Sequence, residues 1–396
     1  MATLTAAAPA ATARRTLGTS CGAHALHDGC TDLITLLLPL WQAAFGLSYA
    51  EIGLLRSAYS TTMGTGQIPS GTLAARIGSA RTLALGTAVA GAGFAVAAAA
   101  DGFATLLVAL AIAGAGASVQ HPVASELVAR AFAGARSRVA LGTYNFAGDL
   151  GKMAIPAAGA LMVTMLPWRV TLALIGAVGL VVAVALLLLA PRYRAETAQT
   201  EGDKGGHAVG GQGGFYALLS IGVIDSATRM GLLTFLPFLL TAKGASLPTI
   251  GFALTLVFVG GAVGKLVCAW IGARIGVVAT VWLTEGLTAL GILALIVLPL
   301  EFALMLLPVV GVALNGTSSV LYGSVPLLVS PEARARAFSI FYTGAIGSGA
   351  VAPIFYGLIG DAVGVPYALI VIAATVLVTL PLVLALKGRL AAASAA

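Results

Sequence analysis

The sequence has little charge. Of its 396 residues only 9% are Asp, Glu, Lys or Arg, with 21 basic and 14 acidic side chains. Soluble globular domains are about one-quarter charged. So few charges leave a chain of this length without a water-facing surface, which excludes a water-soluble enzyme, a nucleic-acid binder and a disordered protein. Cysteine is scarce as well. Cys21, Cys30 and Cys268 are odd in number, widely spaced and set in or beside apolar segments. That pattern excludes a disulfide framework and a cysteine metal cluster, and leaves buried, reduced thiols. No G-x-x-x-x-G-K-[ST] motif occurs, and the one long hydrophilic stretch, 191–213, is too short for an ATPase domain. Energy for any active process must therefore come from an ion gradient. The first 19 residues lack the apolar core of a signal peptide and are expected to form a disordered tail.

What fills the chain is apolar: 59% hydrophobic residues and a mean hydropathy of +1.02. Crossing the hydrocarbon core takes about 20 mostly apolar residues. On that criterion the sequence predicts an all-α integral membrane protein with twelve spans. They fall near 20–45, 51–75, 81–101, 103–131, 138–166, 168–190, 214–241, 247–273, 277–299, 301–329, 334–361 and 365–386. Basic residues cluster on one side of this arrangement, including Arg76, Arg81, Arg130, Arg136, Arg138, Arg274, Arg334 and Arg336, and only Arg169 and Lys243 fall on the other. The positive-inside rule then puts both termini in the cytoplasm of a multi-pass protein of the inner, or plasma, membrane. The net charge of +7 follows this topology and is no nucleic-acid patch.

The hydrophilic stretch 191–213, with its run Gly210-Gly211-Gln212-Gly213-Gly214, has the composition of a flexible linker. It divides the chain into six-helix bundles at 20–190 and 214–386, with a second cytoplasmic tail at 387–396. The halves repeat. Ala75-Arg76-Ile77-Gly78 recurs as Ala273-Arg274-Ile275-Gly276, and the same offset pairs Pro39 with Pro237, Gly53 with Gly251, Arg136 with Arg334, Arg138 with Arg336 and Tyr144 with Tyr342. A series spanning five helices marks a duplicated unit, both copies in the same orientation. Parallel repeats of this kind are a transporter architecture.

Two six-helix halves joined by a linker resemble the major facilitator superfamily. Its loop motif G-x-L-a-D-r-x-G-r-k is met here by Gly71, Leu73, Arg76 and Gly78, with Ala75 in place of the acid. Within the superfamily the chain is most similar to fosmidomycin-resistance-type exporters. That resemblance lies in a His/Asp-rich first helix, Gln120-His121-Pro122, and the stretch from Tyr144 to Pro156. It implies a secondary transporter and not an enzyme, working by alternating access, with gating at Gly71, Arg76 and Gly78. It also implies proton antiport of a small compound, without a cofactor other than the proton gradient.

Ionisable residues inside the spans cost at least about 2.5–3.5 kcal/mol each at the bilayer centre and are functional candidates by default. They are His24, His27, Asp28, Asp32, Arg56, His121, Glu126, Asp149, Lys152, Asp225, Arg229, Lys265 and Glu285. In the first helix His24, His27, Asp28, Thr31, Asp32 and Thr35 fall within about 140° of arc at 100° per residue, as a cavity wall requires. Asp28 and Asp32 at i,i+4 disfavour being ionised together, which suits proton coupling with His27. Pairing with cavity cations such as Arg229 is the other reading. In the fifth helix Asn145, Asp149 and Lys152 share a face. A mutual Asp149–Lys152 pair and an anchor for an ionic substrate both fit.

Asp225 and Arg229 repeat the theme in the seventh helix, where Arg229 has the geometry to hold a carboxylate or phosphonate. His24, His121, Asn145, Asp149, Lys152, Asp225, Arg229, Tyr322 and Tyr342 are the candidate substrate contacts, and Tyr144 is a further candidate wall residue. Pro122 predicts a kink beside His121, and Glu126 with Arg130 an ion pair at an inner gate, with Pro156 a further conformational point. Glu285, in an outward helix, has no account. Trp41, Tyr49, Trp168 and Tyr367 sit near span ends and are expected as interfacial anchors. The partners expected are a small anionic or zwitterionic molecule and the lipid bilayer, with no nucleic acid, no metal and a monomeric state. Efflux is the first reading and proton-coupled import of an organic acid the second.

Overall fold

A computed structural model describes residues 9–132, 135–191, 193, 212–330, 334–384 and 386–387, and among them only helices and their connections occur. In chain order these are α1 (Ala10–Phe45), α2 (Tyr49–Thr65), α3 (Gln67–Ile77), α4 (Ser79–Ala98), α5 (Phe103–Ala117), a π-helical turn at Gln120–Ala124, and α6 (Ser125–Ala131). Next come α7 (Ala135–Met165), α8 (Trp168–Leu189), α9 (Gln212–Ala242), α10 (Leu247–Val297), α11 (Leu300–Ser324) with a 3-10 turn at Val325–Leu327, α12 (Arg334–Val363) and α13 (Val365–Leu377). Nine of the described helical runs are long and apolar enough to cross a bilayer. The chain is therefore a multi-pass membrane protein.

Several boundaries differ from those expected. α1 starts at Ala10, because Ala-Ala-Thr-Ala-Arg-Arg is good helix-forming sequence and the extra turns are held in place. Thr16 Oγ1 hydrogen-bonds Tyr193 Oη at 2.6 Å, and Arg15 donates to the Leu188 carbonyl at 3.1 Å. Of the expected tail, residues 10–19 are therefore helical, while residues 1–8 lie outside the described residues, as do most of the linker and the last residues of the chain. The expected span 51–75 is broken near Gly66 into α2 and α3. Conversely, α10 covers both expected spans at 247–273 and 277–299 and turns at Gly276.

Chain contacts gather into two compact units. One holds the chain up to Leu40 and Ala58–Thr200, the other Trp41–Ser57 and everything from Glu201 onward. Trp41–Ser57, expected within the first six-helix bundle, thus gathers with the second unit. Within the second unit the N–H groups of Tyr49 and Ala50, at the start of α2, donate to the Asp361 carboxylate of α12 at 2.6 and 2.9 Å. Gly357 is close enough to Tyr49 that any Cβ would strike the Tyr49 backbone. Trp41 is fully buried there, which corrects its expected place at the lipid interface; apolar packing outcompetes the headgroup layer for so large a ring.

The duplication is visible in the backbone of each unit. Gly78 and Gly276, repeat partners, both take positive φ, at 90° and 82°, and so do Gly46 and Gly244, at 65° and 86°. Thr82 Oγ1 donates to the Gly78 carbonyl at 3.0 Å and Thr280 Oγ1 to that of Gly276 at 2.9 Å. Even the two outlying cations do equivalent work. Arg169 donates to the carbonyls of Ala98 and Ala100. Lys243 donates to those of Ile296 and Leu298 at 2.9 and 2.7 Å. Each cation caps the C-terminal carbonyls of repeat-equivalent helix ends, where a positive charge is favoured.

Candidate functional site

The polar stripe of α1 faces α7 because glycines let the two helices touch. A Cβ on Gly151 would run into the backbone of Ala25, and one on Gly29 would meet Gly151 and Ile155. A Cβ on Gly148 would fall on the His24 ring and the Asp28 carboxylate. Small residues here bring backbones together, and so deliver Lys152 of α7 to the acids of α1.

Asp28 is the centre of the result. It is 6% exposed, and its Oδ2 lies 3.3 Å from Lys152 Nζ. Its Oδ1 faces three imidazoles: His24 Nε2 at 3.4 Å, His27 Nε2 at 3.6 Å and His121 Nε2 at 3.9 Å. Three of the four histidines in the chain thus converge on one carboxylate oxygen. Lys152 therefore pairs with Asp28, whereas a pair with Asp149 on its own helix stood among the expectations; Asp32 and Asp149 act on Lys152 electrostatically. A carboxylate facing the cation across the helix contact is buried and close, while one on the same helix must reach along the surface.

Each histidine is placed by a different device. His24 stacks on Tyr144, ring centroids 4.0 Å apart, and its Nδ1 is 2.9 Å from the Tyr144 carbonyl. Tyr144 is itself fully buried and donates from its hydroxyl to the Gln120 carbonyl at 3.1 Å. His27 heads the next turn of the stripe, where Thr31 bonds the His27 carbonyl and the Tyr59 hydroxyl at 2.9 and 2.8 Å. His121 stands in the π-helical turn that Pro122 enforces, as the expected kink, and meets the rings of His24 and His27 edge-on at 5.3 Å. Its side chain is 44% exposed, so the cluster has an open side. Asn145 is exposed and Asp149 half-buried beside it on α7.

At one end of the same unit, Glu126 and Arg130 form the expected pair at 2.7 Å. Glu126 also accepts from Ser79 Oγ at 2.8 Å, which ties α6 to the turn carrying Gly78. Arg76 is exposed in the last turn of α3, and Gly71 borders the same cleft as Glu126 and Arg130. Pro156 is buried within α7, which continues through it.

In the second unit Asp225 is buried on α9 and its carboxyl hydrogen-bonds that of Glu285 from α10. Thr317 joins Glu285, and Arg229 acts on both acids. A hydrogen bond between two carboxyl groups holds one proton. This accounts for Glu285, whose partner is far away in sequence and so carried no local signal. Tyr322 and Tyr342 stack edge-on at 4.9 Å, with Phe338 4.7 Å from Tyr322. Both tyrosines are partly exposed.

Comparison with known proteins bears on the family and the fold. The family model for the Major Facilitator Superfamily matches residues 21–221 and again 218–395. The fosmidomycin resistance protein of Escherichia coli (strain K12) is 27% identical over 194 residues, which are 48% of this chain and 45% of that protein. The match therefore spans less than half the length of the relative. Among solved structures, a nucleoside transporter superposes with a TM-score of 0.80 at 14% identity, over 94% of this chain and 99% of that one. A bacterial homolog of the human lysosomal transporter Spinster, inward-facing and unoccupied, gives 0.75 at 16% identity over 98% of each chain. At such identities the structural likeness speaks for the fold alone.

Proposed function

The chain belongs to the major facilitator superfamily and is a transporter; we propose that it exports a small anionic or zwitterionic compound in exchange for protons, by alternating access. The observation that carries this reading is Asp28, buried with one ammonium and three imidazoles around it. An ammonium and three imidazoles around one carboxylate offer a proton several alternative seats, which proton coupling requires. Lys152, one-third exposed, supplies a positive charge to an anionic ligand entering from the open side at His121. Asp32, His27 and the proton held between Asp225 and Glu285 supply further groups for coupling. Export is favoured by similarity to a protein named for fosmidomycin resistance. Twelve spans, cytoplasmic termini, the inner membrane and a monomer complete the proposal.

Vesicles of wild type and Asp28→Asn under imposed pH gradients of both signs test it, with ligands first found by thermal shift, since a ligand selective for the folded state stabilises it. Antiport predicts that a gradient acid inside, whose protons run outward, drives the ligand into the vesicles in wild type only. Uptake along the inward proton gradient would make the protein an importer. Indifference to the gradient would make it a uniporter.

A further inference from the structure

We propose that His24, Asp28 and His121 form a binding site for one divalent transition-metal ion of the zinc class, with His27 beside them as a fourth donor. One atom from each of the three residues lies within 4.8 Å of the others. Tetrahedral zinc with bonds of about 2.0–2.1 Å separates its ligand atoms by roughly 3.3–3.4 Å. The three Nε2-to-Oδ1 distances, 3.4, 3.6 and 3.9 Å, therefore need to close by at most about half an ångström.

The orientation of His24 makes the site specific. A carbonyl oxygen only accepts, so the 2.9 Å contact with Tyr144 requires the proton of His24 on Nδ1. In the neutral ring Nε2 is then a bare lone pair, turned toward a carboxylate oxygen 3.4 Å away. Two electron pairs facing each other are repulsive unless a cation lies between them. A ligating histidine usually has its other nitrogen donating to a backbone carbonyl in this way. Nε2 of His27 is buried without a hydrogen-bond partner, and that of His24 has only the Asp28 carboxylate before it; a metal would take up both lone pairs. His24 and Asp28 sit at i,i+4 on one helix face, as paired helical ligands do. His121 comes from the π-helical turn, and its exposure gives an ion a way in.

Asp28 brings a negative charge to the ion, with Lys152 3.3 Å from its other oxygen. Imidazole with a single carboxylate selects zinc, cobalt, nickel or copper over magnesium and calcium.

The test uses the full chain without a polyhistidine tag, purified in detergent and stripped with a chelator. Cobalt(II) added to wild type is expected to give the intense visible absorption of a tetrahedral site at one ion per chain, displaced by zinc and not by magnesium. His121→Ala and Asp28→Asn are each expected to weaken zinc binding at least about 10–100-fold, the range even outer partners of a ligand command. His207→Ala, the fourth histidine of the chain and no member of the proposed ligand set, is expected to leave it unchanged. Circular dichroism and gel filtration establish that each variant is folded. Absence of the cobalt band, or zinc affinity insensitive to His121→Ala and Asp28→Asn in folded protein, overturns the proposal. The measurement is made at equilibrium without a membrane gradient, so its failure leaves the transport reading standing, and the reverse.

Discussion

The ammonium of Lys152 lies 3.3 Å from Asp28 Oδ2, joining α7 to α1 at the point where Gly148 and Gly151 bring the helices together. Lys152→Met leaves Asp28 buried beside imidazoles alone. A loss of about 3 kcal/mol is expected, the low end for a broken buried pair because Lys152 is partly exposed. Asp28→Asn together with Lys152→Met is expected to regain most of that stability. Thermal unfolding of the single and double variants in the same detergent checks it. Additive losses would mean the pair is not energetically coupled.

Gly78 and Gly276 share a backbone conformation at φ 90°, ψ 145° and φ 82°, ψ 163°. Side chains are strained there, at about 1–3 kcal/mol each. Neither glycine has a neighbour within reach of an added Cβ, so Gly78→Ala and Gly276→Ala isolate backbone strain from packing. Similar drops in midpoint temperature are expected for the two variants, and unequal drops would count against their equivalence.

Asp361 accepts the Tyr49 and Ala50 amides at the first turn of α2. Asp361→Ala removes both acceptors and a negative charge from a helix N-terminus, a loss of about 1–2 kcal/mol. Asp361→Asn keeps one acceptor oxygen and is expected to lose less. Faster hydrogen exchange at residues 49–52 is the local readout, and unchanged exchange there would refute the link.

Glu285 is 1% exposed and bonded to Asp225. Glu285→Gln preserves a hydrogen-bond donor for Asp225 and is expected to fold at near wild-type yield. Glu285→Ala leaves a cavity and an unpaired buried carboxyl, worth about 2–4 kcal/mol. Comparable stability of the two variants would show that the hydrogen bond is not formed.

Within a helix the sequence was a good guide. The stripe on α1, the Glu126–Arg130 pair and the kink at Pro122 all follow from spacing along one element, because 3.6 residues per turn fix which side chains are neighbours. It was silent where the neighbour lay on another helix. Lys152 had an acid on its own helix and another across a glycine contact, and spacing alone does not rank the two. His24 and Tyr144 were both noted, yet nothing in their numbering predicts that one ring lies on the other. Gly46 and Gly244 carried the repeat all along, but a single identity at fixed offset is noise until both are found at positive φ.

Composition by itself determined that this chain lives in a bilayer, since so few charges cannot clothe it in water. Self-similarity determined that it is a doubled unit, because each copy has to satisfy the same membrane and the same turns. Only the tertiary structure decided which of the scattered acids and bases meet. A helix sequence records the face a residue occupies but not what lies opposite, and here small residues on α1 and α7 set the approach that gathers three imidazoles and an ammonium around Asp28.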